Sequence, residues 1–186
     1  MSQLPLSYLV SNYDIEHKLT GYNVNIILYS HLVDYKSLTD LLPKEMCACF
    51  ILIKTSENSG HWTCVVRNGL NVFYFDSYGV KPDGELSHIK KHLRYELHEN
   101  QPLLSDIFKQ SSNFNIIYNH TQLQSYHPNI NTCGKWCVDF TICIFEGGSL
   151  KTFITAIKSL TTHYKNHHTS AQNINDIIAS RLYAVI

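Results

Sequence analysis

Apolar and polar positions change period several times along the chain, and each change marks an element. Ser11-Asn12, with Asp14 and Glu16 behind it, is a capping signal that starts a helix within residues 11–20. Met46 to Lys54 is an apolar run of strand length, and the polar stretch Ser56 to Gly60 turns the chain into a second strand, Trp62 to Arg67. Asn68-Gly69 is a strong hairpin signal and leads into a third strand, Val72 to Phe75, that ends at Asp76-Ser77-Tyr78-Gly79. Pro82-Asp83-Gly84 is a loop, Glu85 to Glu99 has helical periodicity, and Phe114 to Tyr118 is a fourth strand. Cys133 to Glu146 predicts a helix with Trp136, Phe140, Cys143 and Ile144 on one face, stopped by Gly147-Gly148. Two more helical patterns cover Leu150 to Tyr164 and Ile174 to Tyr183. The sum is an α+β fold with a central, mostly antiparallel sheet flanked by helices, and no Pro/Gly/Ser-rich linker divides residues 1–186, which read as a single domain.

Composition removes several function classes. With 44% hydrophobic and 16% charged residues the chain is globular. Fifteen basic residues balance fifteen acidic ones, which argues against whole-surface binding of nucleic acid or anionic membrane. No stretch reaches the ~18 apolar residues of a membrane span, and Met1-Ser2-Gln3-Leu4-Pro5 has no basic, apolar leader, so the expectation is an intracellular, non-secreted chain whose six cysteines are thiols. The Lys90-Lys91-His92 and Arg94 cluster reads as the exposed face of the Glu85–Glu99 helix.

Three regions carry chemistry. His61 falls about as far before the Asn68-Gly69 turn as Asp76 falls after it, which predicts directly opposed cross-strand neighbours, about 5 Å apart at the backbone. A carboxylate there can accept the Nδ1 proton of the imidazole and leave Nε2 as a base. Cys133 opens the long helix, where unpaired N–H groups and the helix dipole favour thiolate, and Gly134 beside it leaves room for a substrate backbone. Cys137 and Cys143, further along, read as small buried hydrophobes. In the preceding polar loop, Gln122 and Gln124 are candidates for an amide that donates to an oxyanion. Eleven histidines raise the question of metal, but Cys47/Cys49 and Cys133/Cys137 lack zinc-site spacing, and His163, His167 and His168 read as a solvated helix end, so no metal is expected.

The order Gly60-His61-Trp62, Tyr74-Phe75-Asp76-Ser77-Tyr78-Gly79, Gln122-Leu123-Gln124, Thr132-Cys133-Gly134-Lys135-Trp136-Cys137 resembles the adenovirus-type (adenain-like) maturation proteases, and is most similar to their members in virophages, Polinton-type elements and large DNA viruses. Leu9 to Ile15 and Leu41-Leu42-Pro43 extend the resemblance over most of the chain. It implies a papain-like, adenain-like cysteine protease fold, related to SUMO proteases, with the nucleophile at the N-terminus of a buried helix. It further implies that Cys133 is the nucleophile, His61 the general base, Asp76 its orienting acid and Gln124 the oxyanion donor, with Gln122 as the alternative because Ser125 to Asn131 is longer than its family counterpart. Trp62 and Gly134 are the expected substrate-binding residues.

The implied function is a viral cysteine endopeptidase that matures virion particles by cutting capsid or other virion precursor polypeptides. The expected location is the virion and the host cytoplasm or viral factory, and the expected state is a monomer without cofactor or membrane partner. Family members activated by a peptide and DNA exist, but the neutral charge here gives no independent support for nucleic acid. A SUMO- or ubiquitin-like isopeptidase on the same fold and a non-enzymatic capsid-associated domain are the alternatives.

Overall fold

The computed structural model describes residues 5–57, 59–167 and 173–185. In chain order its elements are α1 (Asn12–Lys18), β1 (Val24–Leu28), a 3-10 turn (Tyr29–Asp34), α2 (Leu38–Leu41), β2 (Met46–Lys54), β3 (Gly60–Asn68) and β4 (Asn71–Asp76). A second 3-10 turn (Gly84–His88), α3 (Lys91–Glu96), α4 (Leu103–Lys109), β5 (Asn115–Tyr118), α5 (Cys133–Phe145), α6 (Leu150–His167) and α7 (Ile174–Val185) follow. The helix start at Ser11 takes the form of a full capping box, in which the Ser11 hydroxyl accepts from the Asp14 N–H and the Asp14 carboxylate accepts from the Ser11 N–H. His168 of the C-terminal histidine group lies outside the described residues.

The sheet runs β1-β2-β3-β4-β5. Its centre is antiparallel, β2 with β3 and β3 with β4, but β1 pairs parallel with β2 and β5 parallel with β4. The sheet is therefore mixed rather than mostly antiparallel. The two edge pairings join segments separated by helical crossovers, and no turn signal can announce them. Strand β1 itself is a short run diluted by Asn25, and pairing with Ala48 to Leu52 is what makes it a strand.

The two faces of the sheet build two cores. Phe50, Trp62, Cys64, Val66, Phe73 and Phe75 point to one side, against Trp136, Phe140 and Ile144 of α5 and residues of α1, α6 and α7. Cys49, Ile51, Val65, Val72 and Tyr74 point to the other, against Leu38, Leu86, Ile107 and Phe108. Helix α5 is buried on every side from Cys133 to Thr141, not along one stripe, and Cys143 is only half-buried. A helix enclosed this way gives its first residue a fixed position.

The stretch Glu85 to Glu99 is not one helix. It is the 3-10 turn at Gly84–His88, an extended step at Ile89 and Lys90, and the short α3. The spacing of Leu86, Ile89, Leu93 and Leu97 imitates a helical stripe, yet Leu86 and Ile89 are both drawn into the second core, which interrupts the helix between them and Lys91. Lys90, Lys91 and His92 are exposed, in keeping with a solvated basic face. Among the described residues no helix is long and apolar enough to cross a membrane.

Candidate active site

The β3–β4 hairpin closes with Asn68 opposite Asn71, so Gly69 and Leu70 form its loop and Gly69 takes the left-handed backbone (φ 62°) that glycine adopts without strain. The turn centre is one residue later than the Asn68-Gly69 signal suggests. Asp76 consequently faces Thr63, and His61 is its diagonal neighbour rather than its direct partner. A two-residue offset keeps both side chains on one face of the pleat, so they still meet. The longer diagonal reach selects the outer ring nitrogen: Nε2 of His61 lies 3.0 Å from Oδ2 of Asp76. This reverses the nitrogen roles expected from sequence and leaves Nδ1 for Cys133. The other Asp76 oxygen accepts the Tyr78 N–H at 2.7 Å, and the Asp76 carbonyl accepts from Asn119 Nδ2 at 2.7 Å.

Cys133 is the first residue of α5. Trp136 N–H to the Thr132 carbonyl, 2.9 Å, is the first intrahelical bond, so the N–H groups of Cys133, Gly134 and Lys135 have no helical acceptor. The Thr132 side chain does not cap them. Its hydroxyl donates to Asp176 of α7 at 2.5 Å, and Asp176 also accepts the Ser125 N–H at 3.1 Å. Lys135, fully buried, donates from Nζ to the Pro5 carbonyl (2.8 Å) and the Ser180 hydroxyl (3.1 Å), and burial against its neighbours pulls its pKa down to about 8. These bonds tie the start of α5 to both ends of the chain.

Electrostatics at the site favour an ion pair. Burial of the Cys133 thiol opposes its ionisation, but hydrogen bonding with His61, the imidazolium charge and the N–H groups of Trp62 and Gly134 outweigh it and bring the thiol below its ordinary value. Burial of His61 disfavours its charged form, but the charge and hydrogen bond of Asp76, with Cys133 behind them, raise the imidazole well above its ordinary value. Cys47, Cys49, Cys137 and Cys143 are all pushed the other way by burial.

The structure thus brings Cys133, His61 and Asp76 together. Gln124 is buried beside them, with its side-chain oxygen accepting from the Ser77 hydroxyl (2.8 Å) and Nε2 donating to the Tyr78 hydroxyl (3.0 Å) and the Ile130 carbonyl (3.2 Å). Gln122 is exposed and donates to the Gln124 carbonyl at 3.0 Å. Trp62 is buried and its indole N–H donates to the Val10 carbonyl at 2.9 Å.

The room above Gly134 is taken by the protein itself. A Cβ at this residue would lie 2.7 Å from Val10 Cβ and 3.1 Å from Trp62 Cδ1. The absent side chain therefore serves close packing of α5 against Val10 and Trp62. Gly134→Ala is expected to cost about 1–3 kcal/mol of stability through overpacking, less the ~1 kcal/mol that alanine gains in a helix. Urea denaturation measures this, and an unchanged midpoint would contradict the packing account.

Three further residues belong to the site. The Tyr78 ring stacks on His61 (4.8 Å between centroids, 18°), and Tyr126 stacks on Tyr78 (4.2 Å, 10°). Continuing the hairpin register two residues past the Thr63–Asp76 pair puts Tyr78 opposite His61, so the correct turn centre was the signal that could have found it. Glu85 is buried with Oε1 unpartnered, and burial raises its carboxyl despite the nearby His61 charge. Nothing local to the sequence marks Glu85, which arrives through the 3-10 turn. His61, Asp76 and Glu85 each place one potential metal-ligand atom within 4.8 Å of the others. A groove of about 450 Å³ opens beside Cys133, between Leu9–Tyr13 and the β2–β3 turn, with Leu52, Trp62 and Asn131 in its walls. A larger depression of about 570 Å³, lined by Lys81, Phe108 and Tyr118 along the β5 edge, contains none of these residues.

Comparison with known proteins gives one informative similarity. The chain is 34% identical over 130 residues to the uncharacterized protein V9 of Sputnik virophage, an alignment covering 69% of this chain and 73% of that protein. No family model matches the chain.

Proposed function

We propose that this chain, which belongs to a virophage protein family that includes protein V9 of Sputnik virophage, is a viral cysteine endopeptidase of the adenain-like type that cuts virion precursor polypeptides during particle maturation. The observation that carries this reading is the convergence of Cys133, His61 and Asp76 with the thiol and imidazole shifted toward thiolate and imidazolium. Virion precursors are the natural substrates of such an enzyme, and the virion or viral factory is where it would act.

The chemistry follows from the roles of the three groups. The Cys133 thiolate attacks a peptide carbonyl carbon, and the carbonyl electron pair moves to oxygen. The Cys133 N–H, unspent at the start of α5, donates to that oxyanion. Imidazolium Nδ1 of His61 gives its proton to the leaving amine as the C–N bond breaks. Asp76, on Nε2, holds the ring and its charge throughout. Neutral His61 then takes a proton from water, the hydroxide adds to the thioester carbonyl, and the C–S bond breaks to release the carboxyl product and restore the Cys133 thiolate beside the imidazolium.

The test is the pH dependence of thiol alkylation. With limiting iodoacetamide, Cys133 is expected to react first among the six cysteines at pH 6 to 7, because its pKa is lowered while burial raises Cys47, Cys49, Cys137 and Cys143. Its rate should fall only when the pH drops below the depressed thiol value. Removing the imidazolium with His61→Ala should shift the Cys133 curve to higher pH. Alkylation of Cys133 only above pH ~8, as for an ordinary thiol, would favour a non-enzymatic domain of the same fold.

A further inference from the structure

A tetrahedral oxyanion calls for more than one donor, and beside the backbone N–H groups at the start of α5 the candidates are side chains around Cys133. A glutamine amide has two N–H groups. In Gln124 both are committed, one to the Ile130 carbonyl at 3.2 Å and one to the Tyr78 hydroxyl at 3.0 Å. The same bond makes Tyr78 an acceptor, and among the described residues its own O–H donates no hydrogen bond. The ring carrying that hydroxyl cannot swing away, since it is held between His61 and Tyr126 by stacking on both faces. We infer that the Tyr78 hydroxyl, oriented by Gln124, is the second oxyanion donor of the site, so that Tyr78 is a catalytic residue and Gln124 a positioning residue. The inference rests on the protease reading above.

Two further facts fit. Tyr78 is near enough to Cys133 that the thiolate charge, after burial itself, raises the phenol further above its ordinary value, so it stays a protonated donor throughout the working pH range. Donation from Gln124 Nε2 into the phenol oxygen also polarises the O–H bond outward, which strengthens it as a donor when negative charge develops.

The discriminating experiment is Tyr78→Phe, assayed on peptides cleaved by the wild-type protein and by affinity for a peptide aldehyde, whose hemithioacetal oxygen on Cys133 occupies the oxyanion position. The phenyl ring keeps the stack and removes only the hydroxyl. The expected result is a fall in kcat of about 100-fold with KM nearly unchanged, an aldehyde affinity weakened in step, and an unchanged alkylation curve for Cys133. Gln124→Ala should lower kcat in the wild-type background and add little in the Tyr78→Phe background. If Gln124 were the donor, the signs would differ: Tyr78→Phe would release one of its N–H groups and leave kcat equal or higher. Equal or higher kcat in Tyr78→Phe overturns the inference while the protease reading stands. A wild-type protein that neither cleaves peptides nor forms the hemithioacetal overturns both.

Discussion

Cys133→Ala is expected to abolish peptide hydrolysis, lowering kcat by on the order of 10⁴-fold or more. The sulfur is the only atom at this position able to form the acyl intermediate, and nothing nearby can replace it. Cys137, one turn along, has its thiol raised by burial, donates to the Trp62 carbonyl at 3.4 Å and does not line the groove beside Cys133. What survives in the variant is the turnover that binding and oxyanion stabilisation support without a nucleophile. His61→Ala should be nearly as damaging, and the double variant little worse than either, because thiolate and imidazolium act as one unit. The measurement is product release from virion precursor polypeptides or a peptide library, with thermal melting to confirm that the variants remain folded. More than a tenth of wild-type turnover in folded Cys133→Ala would end the cysteine-protease reading.

The largest effect on stability is expected at a residue with no role in the chemistry. Asp176 is completely buried and accepts from the Thr132 hydroxyl at 2.5 Å and the Ser125 N–H at 3.1 Å. Its charge also faces Lys135, whose ammonium sits fully buried in the first turn of α5. Asp176→Ala strands two polar groups at once, a hydroxyl and a backbone N–H, and removes one of the two carboxyl groups that face Lys135, the other being Asp139. A buried donor left without its acceptor costs about 1–3 kcal/mol, so the two together give an expected loss of about 3 kcal/mol. Asp176→Asn, which retains one acceptor, should lose about half as much. Because Thr132 directly precedes Cys133, the alanine variant should also lose selective labelling of Cys133 before it unfolds globally. Guanidinium denaturation and thiol labelling of the same samples test this; a loss under ~1 kcal/mol would show that α7 does not anchor the start of α5.

Several features were legible because they are local. The Ser11-Asp14 capping box, the Asn68-Gly69 turn signal, the start of α5 at Cys133 and its end before Gly147-Gly148 each follow from the dihedral preferences or hydrogen bonding of a few adjacent residues. Even a turn centre misplaced by one residue preserved the His61–Asp76 contact, since strands alternate with period two. The virophage relationship, in turn, is supported by similarity along most of the chain.

By itself, then, the sequence determined which residues sit at strand ends and helix starts, and hence that a thiol, an imidazole and a carboxylate could meet. Only the tertiary structure decided which imidazole nitrogen takes Asp76, that Gln124 spends both N–H groups, that Tyr78 lies against His61, and that Val10 and Trp62 seal Gly134. The parallel pairing of β1 and β5 was decided there as well. The physical reason is common to all of these: each depends on groups brought together by chain segments distant in sequence, where packing and hydrogen-bond satisfaction select one arrangement among several that local preference allows equally.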